Sequence, residues 1–336
     1  MQLGRFNTQR EAFEARVKAE NTILKIYKNG KEKLILSIKS MFNAMKKEGY
    51  VTAPLDRYLF EEANRPNDRA VNVNAPSQAG NCMRANYYMR MQYDKDGSTD
   101  PRTQRIFDNG TYTHERLQAY LLDMELLLMD EVPLINEEYN IQGHTDGFLG
   151  LVDEKDIDEV AILEIKSIND NQFSQLKDAK EEHKKQGLVY LYCAEERRRW
   201  LHEHYKTPKE FNDSYEERYK YFESKYQHMQ GGRKYTREQK IKNEVMLNML
   251  SDNILFYTDK PIKKVIFLYE NKNNQELKEF LVERNMTTEP ILDEVLEGYL
   301  YLNECCEEHT LPPREGTSKS CSMCRWCDYK NECYIQ

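Results

Sequence analysis

An α/β fold is the class this sequence predicts: a small mixed central sheet flanked by helices. Three observations predict it. Val160-Ala161-Ile162-Leu163-Glu164-Ile165 is a short β-prone apolar run, the signature of a buried strand. Lys264–Glu270 and Glu276–Val282 are two more such runs, and the Asn271-Lys272-Asn273-Asn274 between them reads as a hairpin turn. Helical spacing dominates the chain before, between and after these runs.

Taken in order, residues 1–50 read as helical, with apolar positions such as Phe13, Val17, Ile23 and Leu34 spaced through a basic stretch and a break at Asn29-Gly30. Residues 66–81 are loop-like. A helix is expected from near Gln78 to Gln92, holding Cys82, and a loop from Asp94 to Pro101. A longer helix, roughly Gln104 to Met129, holds His114. Tyr139 to Val152 reads as a strand with a Gly-rich middle, and Asp153 to Asp158 as a charged turn. A helix from about Lys177 to Glu196 follows the apolar strand. Residues 201–260 are polar, Tyr-rich and mostly helical, with a break at Gly231-Gly232. The last helix spans roughly Thr288 to Glu307, and Pro312-Pro313 ends it. The expected organisation is a basic helical extension over 1–70 and a main domain over 71–336, with a helical insertion at about 201–260 and a cysteine cluster at 321–333.

The composition bounds the function. Of 336 residues, 39% are hydrophobic, which supports a packed core, and 32% are charged, which implies a heavily solvated surface. The formal net charge of −8 argues against broad non-specific coating of nucleic acid. It is unevenly spread: residues 1–49 carry eleven Lys/Arg against five Asp/Glu, so the first 49 residues are +6 and the remainder −14. The apolar runs are far shorter than the ~20 residues that span a bilayer, and the N-terminus has no signal-peptide stretch. A soluble, cytoplasmic protein is expected. No G-x4-G-K-[ST] loop is present, so no nucleotide-driven motor is encoded.

Three features suggest chemistry. Asp146 lies in Gly143-His144-Thr145-Asp146-Gly147; Glu164 and Lys166 form Glu-Ile-Lys at the end of the apolar strand; Gln186 and Tyr190 stand at i, i+4 on a helix. Oxygen ligands from carboxylates hold a hard cation, which polarises a phosphate and activates water. Side chains alternate along a strand, so Glu164 and Lys166 share one side, and the ammonium can stabilise developing negative charge. Gln186 and Tyr190 share one helix face, where they would bind a DNA backbone or brace the lysine. Singly each element is weak, because charged residues are everywhere in this chain. A lone helix histidine such as His114 is more often a surface or half-buried one.

Four of the eight cysteines, Cys321, Cys324, Cys327 and Cys333, fall in the last sixteen residues, which favours a metal or cluster site over disulfides. Cys193, Cys305 and Cys306 read as plain helix cysteines. Arg233, Lys234, Arg237, Lys240 and Lys242, interleaved with Tyr215, Tyr219, Tyr221, Tyr226 and Tyr235, suit an unstacked DNA strand. They equally suit a solvated helical insertion whose tyrosines pack on the core.

As a set, these motifs resemble the RecB-like nucleases of the PD-(D/E)xK superfamily. That family carries a helix histidine, then Gly-x-x-Asp, (Asp/Glu)-x-Lys and Gln-x-x-x-Tyr. Here the blocks are Gly110 to His114, Gly143-His144-Thr145-Asp146, Glu164-Ile165-Lys166 and Gln186 to Tyr190, in that order. The resemblance covers roughly residues 78–336. It implies a restriction-endonuclease-like core with helical additions and a metal-dependent deoxyribonuclease, an exonuclease preferring single strands. His114, Asp146, Glu164 and the Ile165 backbone carbonyl would hold Mg²⁺ or Mn²⁺. Lys166 would be the catalytic cation, and Gln186 and Tyr190 would position the substrate. The implied partners are DNA, as single strands or duplex ends, and a separate helicase or a recombination or CRISPR protein; the implied setting is DNA repair, recombination or replication.

The tail Cys324-x2-Cys327-x5-Cys333 resembles the iron–sulfur subgroup, which includes the AddB nuclease domain and the CRISPR-associated adaptation nuclease. In that subgroup three C-terminal cysteines and one distant N-terminal cysteine hold a 4Fe–4S cluster, and Cys82 fits the distant position. Cys321 is extra, so an all-local set of Cys321, Cys324, Cys327 and Cys333 is the alternative. Two rival readings stand beside the nuclease: a non-catalytic nucleic-acid-binding module, and a zinc-containing scaffold.

Overall fold

The computed structural model describes residues 49–65, 69–153, 156–227, 229 and 236–335. The basic stretch 1–48, the Gly231-Gly232 break and the basic residues Arg233 and Lys234 with Tyr235 lie outside the described residues. The backbone divides into two units, Met1–Glu61 and Glu62–Gln336. Of the first, residues 49–61 are described, and they include the start of helix α1 (Thr52–Ala63).

The second unit holds a five-stranded mixed sheet in the order β1 (Leu127–Asn136), β2 (Ile141–Asp153), β3 (Asp156–Ile168), β4 (Lys264–Asn271), β5 (Leu277–Glu283). The pairs β1–β2, β2–β3 and β4–β5 are antiparallel, and β3–β4 is parallel. A parallel pair needs a crossover, and here it runs through helices α4 (Asp170–Gln175), α5 (Glu181–His204), α6 (Pro208–Asn212), α7 (Tyr215–Lys225) and α8 (Arg237–Phe256). Before the sheet come α2 (Met83–Arg90) and α3 (Pro101–Asp123); after it come α9 (Glu289–Glu307) and α10 (Lys330–Ile335).

Alternation along β3 creates two buried faces. Leu163 and Ile165 join Leu117 of α3 with Leu127, Leu149 and Ala161. Val160, Ile162 and Ile168 join Leu188 and Leu191 of α5 and Leu292, Val295 and Leu296 of α9. A strand buried on both faces is apolar on successive residues, which is why Val160–Ile165 stood out in the sequence. Gly187 lets α5 approach β4: a Cβ there would lie 2.6 Å from the Phe267 ring and 2.9 Å from Val265.

Several expected boundaries move. The helix expected to reach Met129 ends at Asp123, and Leu127 and Met129 are inward residues of β1. Glu125 makes the turn with φ of 58°, a left-handed conformation not favoured by its residue type. The expected Gln78–Gln92 helix is a 3₁₀ turn at Pro76–Gln78 followed by α2, with Cys82 as the N-cap residue rather than inside a helix. The expected Asp153–Asp158 turn is shorter, since Asp153 and Asp156 already pair. The helix expected from Lys177 starts at Glu181 and runs two turns beyond Glu196. The hairpin at Asn271 stands where the turn residues placed it.

Candidate active site

The β2–β3 ladder stops at Gly147 opposite Leu163, and the strands part there. Side chains take over the missing ladder bonds. Thr145 Oγ1 donates to the Leu163 carbonyl at 2.8 Å, and the Ile165 N–H donates to Asp146 Oδ2 at 2.5 Å. Asp146 Oδ1 lies 3.0 Å from His114 Nδ1 on α3. Gln118, one turn beyond His114, donates to the Asp146 carbonyl at 2.8 Å and to Glu131 at 3.3 Å. Sequence reading missed Gln118; its signal is the i, i+4 spacing from His114.

Glu164 is only 1% exposed. Its Oε2 accepts from Lys166 Nζ at 2.7 Å and from Gln186 Nε2 at 2.9 Å. Its Oε1 is buried and has no hydrogen-bond partner among the described residues. Such an orphaned carboxylate oxygen carries a desolvation cost that a cation would relieve. Burial first, and then the Asp146 charge against the opposing Lys166 ammonium, push Glu164 up to about 7. Burial pulls Lys166 down, but Glu164 and Asp146 outweigh it and leave it raised. Burial likewise opposes the Asp146 hydrogen bond on His114, and the net direction there is also up.

Tyr190 is buried and donates to the His144 carbonyl at 2.6 Å. Gly143 fits against it, since a Cβ would lie 3.2 Å from the Tyr190 oxygen and 2.7 Å from Pro76. Gln186 and Tyr190 therefore brace Glu164 and β2 from α5, with their polar groups bonded inside the protein. His144 pairs with Glu244 of α8 at 3.0 Å. His183 Nδ1 lies 2.6 Å from the Tyr269 hydroxyl; burial first, then Lys166 and Lys180, hold it down at about 3.

His114, Asp146, Glu164, Lys166, Ile165, Gln186 and Tyr190 thus stand in one bonded neighbourhood. The donor types, two carboxylates and an imidazole beside an orphaned oxygen, fit a divalent cation. As they stand, no three His, Cys, Asp or Glu side chains among the described residues are drawn together into an ion-holding group.

The tail packs on α2. Tyr87 and Tyr88 are buried with Leu302, Cys305, Cys306, Tyr329 and Cys333. Arg84 Nε donates to the Pro312 carbonyl at 2.7 Å, and the Asp96 N–H to the Asp328 carbonyl at 2.7 Å. A cavity of about 330 Å³, counting the solvent at its mouth, is lined by Cys82, Cys324, Cys327 and Cys333 among others. Burial raises the thiols of Cys82, Cys324 and Cys327. Cys321 is not among the lining residues, and the N–H groups of Cys324 and Ser318 hold its thiol down at about 7. Four thiols around one cavity fit a cluster or a metal ion by donor chemistry. Cys193 lies in the α5 core.

The described tyrosines of the insertion pack on its own small core. Tyr226 is buried with Phe222, Ile241 and Val245, and Tyr215, Tyr219 and Tyr221 pack against them. Lys240 pairs with Glu244, and Lys242 with Glu238.

No family model and no curated protein matches this chain. Among solved structures it is similar to the crystal structure of SSO0001, at TM-score 0.39 and 14% identity, over 84% of this chain and 96% of that one. It is also similar to an alkaline exonuclease from Laribacter hongkongensis, at TM-score 0.38 and 11% identity, over 75% and 95%. No helix of the described residues is long and apolar enough to cross a membrane.

Proposed function

We propose that the protein is a metal-dependent DNA nuclease of the RecB-like PD-(D/E)xK type, an exonuclease that prefers single strands and acts in repair, recombination or replication. The observation that carries the reading is the buried, orphaned Glu164 Oε1 beside Lys166, with Asp146 and His114 where β2 and β3 part. His114, Asp146, Glu164 and the Ile165 carbonyl would hold Mg²⁺ or Mn²⁺. That cation, when bound, supplies the positive charge that polarises a phosphate and activates water.

The chain's own residues do the rest. Lys166, raised and so kept charged by its two carboxylate neighbours, neutralises negative charge that develops on the phosphate. Gln186 holds Glu164 through Oε2 and leaves Oε1 unbonded. Tyr190 anchors β2 at His144, two residues from Asp146. Cys82, Cys324, Cys327 and Cys333 would hold a 4Fe–4S cluster with a structural role, joining α2 to the tail.

The test is cleavage of end-labelled single- and double-stranded DNA with Mn²⁺ or Mg²⁺, using protein prepared without oxygen. Wild type is expected to cleave, while Glu164→Ala and Lys166→Ala fold normally and do not. Wild type that binds DNA but cleaves neither substrate would replace this reading with the non-catalytic module.

A further inference from the structure

Helix α2 turns one face to the cysteine cavity of the tail. Cys82 is its N-cap residue, and Arg84 and Tyr88 stand one turn apart on it, so their side chains leave the helix on the same side. All three line the cavity with Cys324, Cys327 and Cys333. Arg84 is fixed by the bond from its Nε to the Pro312 carbonyl, and its Nη1 reaches Cys333 Sγ at 3.9 Å. The tail adds donors of its own. The Tyr329 N–H donates to Cys327 Sγ at 3.5 Å, and the Tyr334 hydroxyl lies 3.9 Å from Cys324 Sγ. Arg314 and Lys330 also line the cavity, and among the described residues that line it none is an acid. Glu315 acts on the Cys82 thiol from beside it and accepts from the Met83 N–H at 2.7 Å.

Tyr88 stands apart from these donors. It is 0% exposed, its ring packed against Tyr93 at 4.9 Å and Tyr329 at 5.7 Å between centroids. Its hydroxyl has no hydrogen-bond partner among the described residues. Packing accounts for the ring, and a phenylalanine would pack as well. It does not account for the hydroxyl, because burying an O–H without an acceptor is unfavourable. Burial first, and then the Cys333 sulfur, push this phenol up, while Arg84 opposes them. The group is thus a neutral O–H donor within electrostatic reach of Cys333. A neutral thiol accepts a hydrogen bond only weakly. A sulfur that carries negative charge, as a metal-bound thiolate or a sulfide does, accepts a stronger one.

We propose that the Tyr88 hydroxyl donates a hydrogen bond to sulfur of the iron–sulfur centre, beside Cys333, and with Arg84 sets that centre's reduction potential. The assignment rests on the cluster reading above. An added electron makes the centre more negative, and a donor to its sulfur stabilises that state more than the oxidised one, so both residues hold the potential up. The test uses wild type and Tyr88→Phe purified without oxygen. Iron, acid-labile sulfide and zinc are measured, and each protein is titrated with dithionite in the presence of redox mediators while its visible absorption is followed. Tyr88→Phe should carry as much iron and sulfide as wild type and be about fivefold harder to reduce, a midpoint about 40 mV lower at ~59 mV per tenfold. Arg84→Gln should move the midpoint the same way, and Arg84→Lys less. The Fe–S stretching bands in the Raman spectrum should shift in D₂O more for wild type than for Tyr88→Phe. An unchanged midpoint in Tyr88→Phe with iron and sulfide in place, or equal D₂O shifts, would overturn this assignment alone. Wild type that holds zinc and no iron would overturn the cluster reading and the assignment with it.

Discussion

Asp146 sits where two strands stop sharing hydrogen bonds, and its carboxylate takes one bond from the departing strand while its other oxygen meets His114. Tyr190 works at the same scale. Removing its hydroxyl would leave the His144 carbonyl without this partner in a part-buried setting. Tyr190→Phe should therefore lose about 1 kcal/mol in urea unfolding, with a fall in DNA cleavage through displacement of β2. Unchanged stability would show that the bond contributes nothing. That Glu164 and Lys166 stand together was legible in the sequence because alternate strand positions share a face. The partners of Gln186 and Tyr190 were not, because a helix face names which residues stand together and not what they touch. Gln118 went unread for the same reason.

Elements show where packing overrides local preference. Leu126-Leu127-Leu128-Met129 has no period, so it extends a helix as readily as it starts a strand; the neighbouring β2 decides for β1. Gly187 presses α5 onto β4, so Gly187→Val should destabilise by roughly 1–3 kcal/mol through its clash with Phe267 and Val265, read as a lower urea midpoint. The α8 contact with β2 is electrostatic. Burial raises Glu244, but the hydrogen bond and charge of His144, with Lys240, outweigh it and hold the carboxyl at about 2. A depressed carboxylate stabilises the folded chain above its ordinary value of 4.5, and that contribution is lost as pH falls toward 2. The stability of wild type relative to Glu244→Gln should fall steadily as pH drops from 4.5 toward 2. A difference that is constant from pH 7 to pH 3 would show that the pair carries no such linkage.

At the scale of the whole second unit, the tail returns to α2 across more than two hundred residues, and Cys82 lines the same cavity as Cys324, Cys327 and Cys333. If a 4Fe–4S cluster sits there, protein purified without oxygen should be brown; Cys82→Ser and Cys327→Ser should be colourless with a lower unfolding temperature, and Cys321→Ser should stay brown. A colourless wild type containing zinc would redirect the cavity to a zinc scaffold, and loss of colour in Cys321→Ser alone would move the fourth ligand to the tail. Residue types, their order and their periodicity were enough to predict an α/β chain, the carboxylate–lysine pair and a cysteine-rich tail, because propensity and alternation are local properties. The parting of β2 from β3, the orphaned Glu164 oxygen, the bracing by Gln186 and Tyr190 and the packing of the insertion's tyrosines were decided only by tertiary structure. Each depends on which surfaces meet, and no local pattern encodes that.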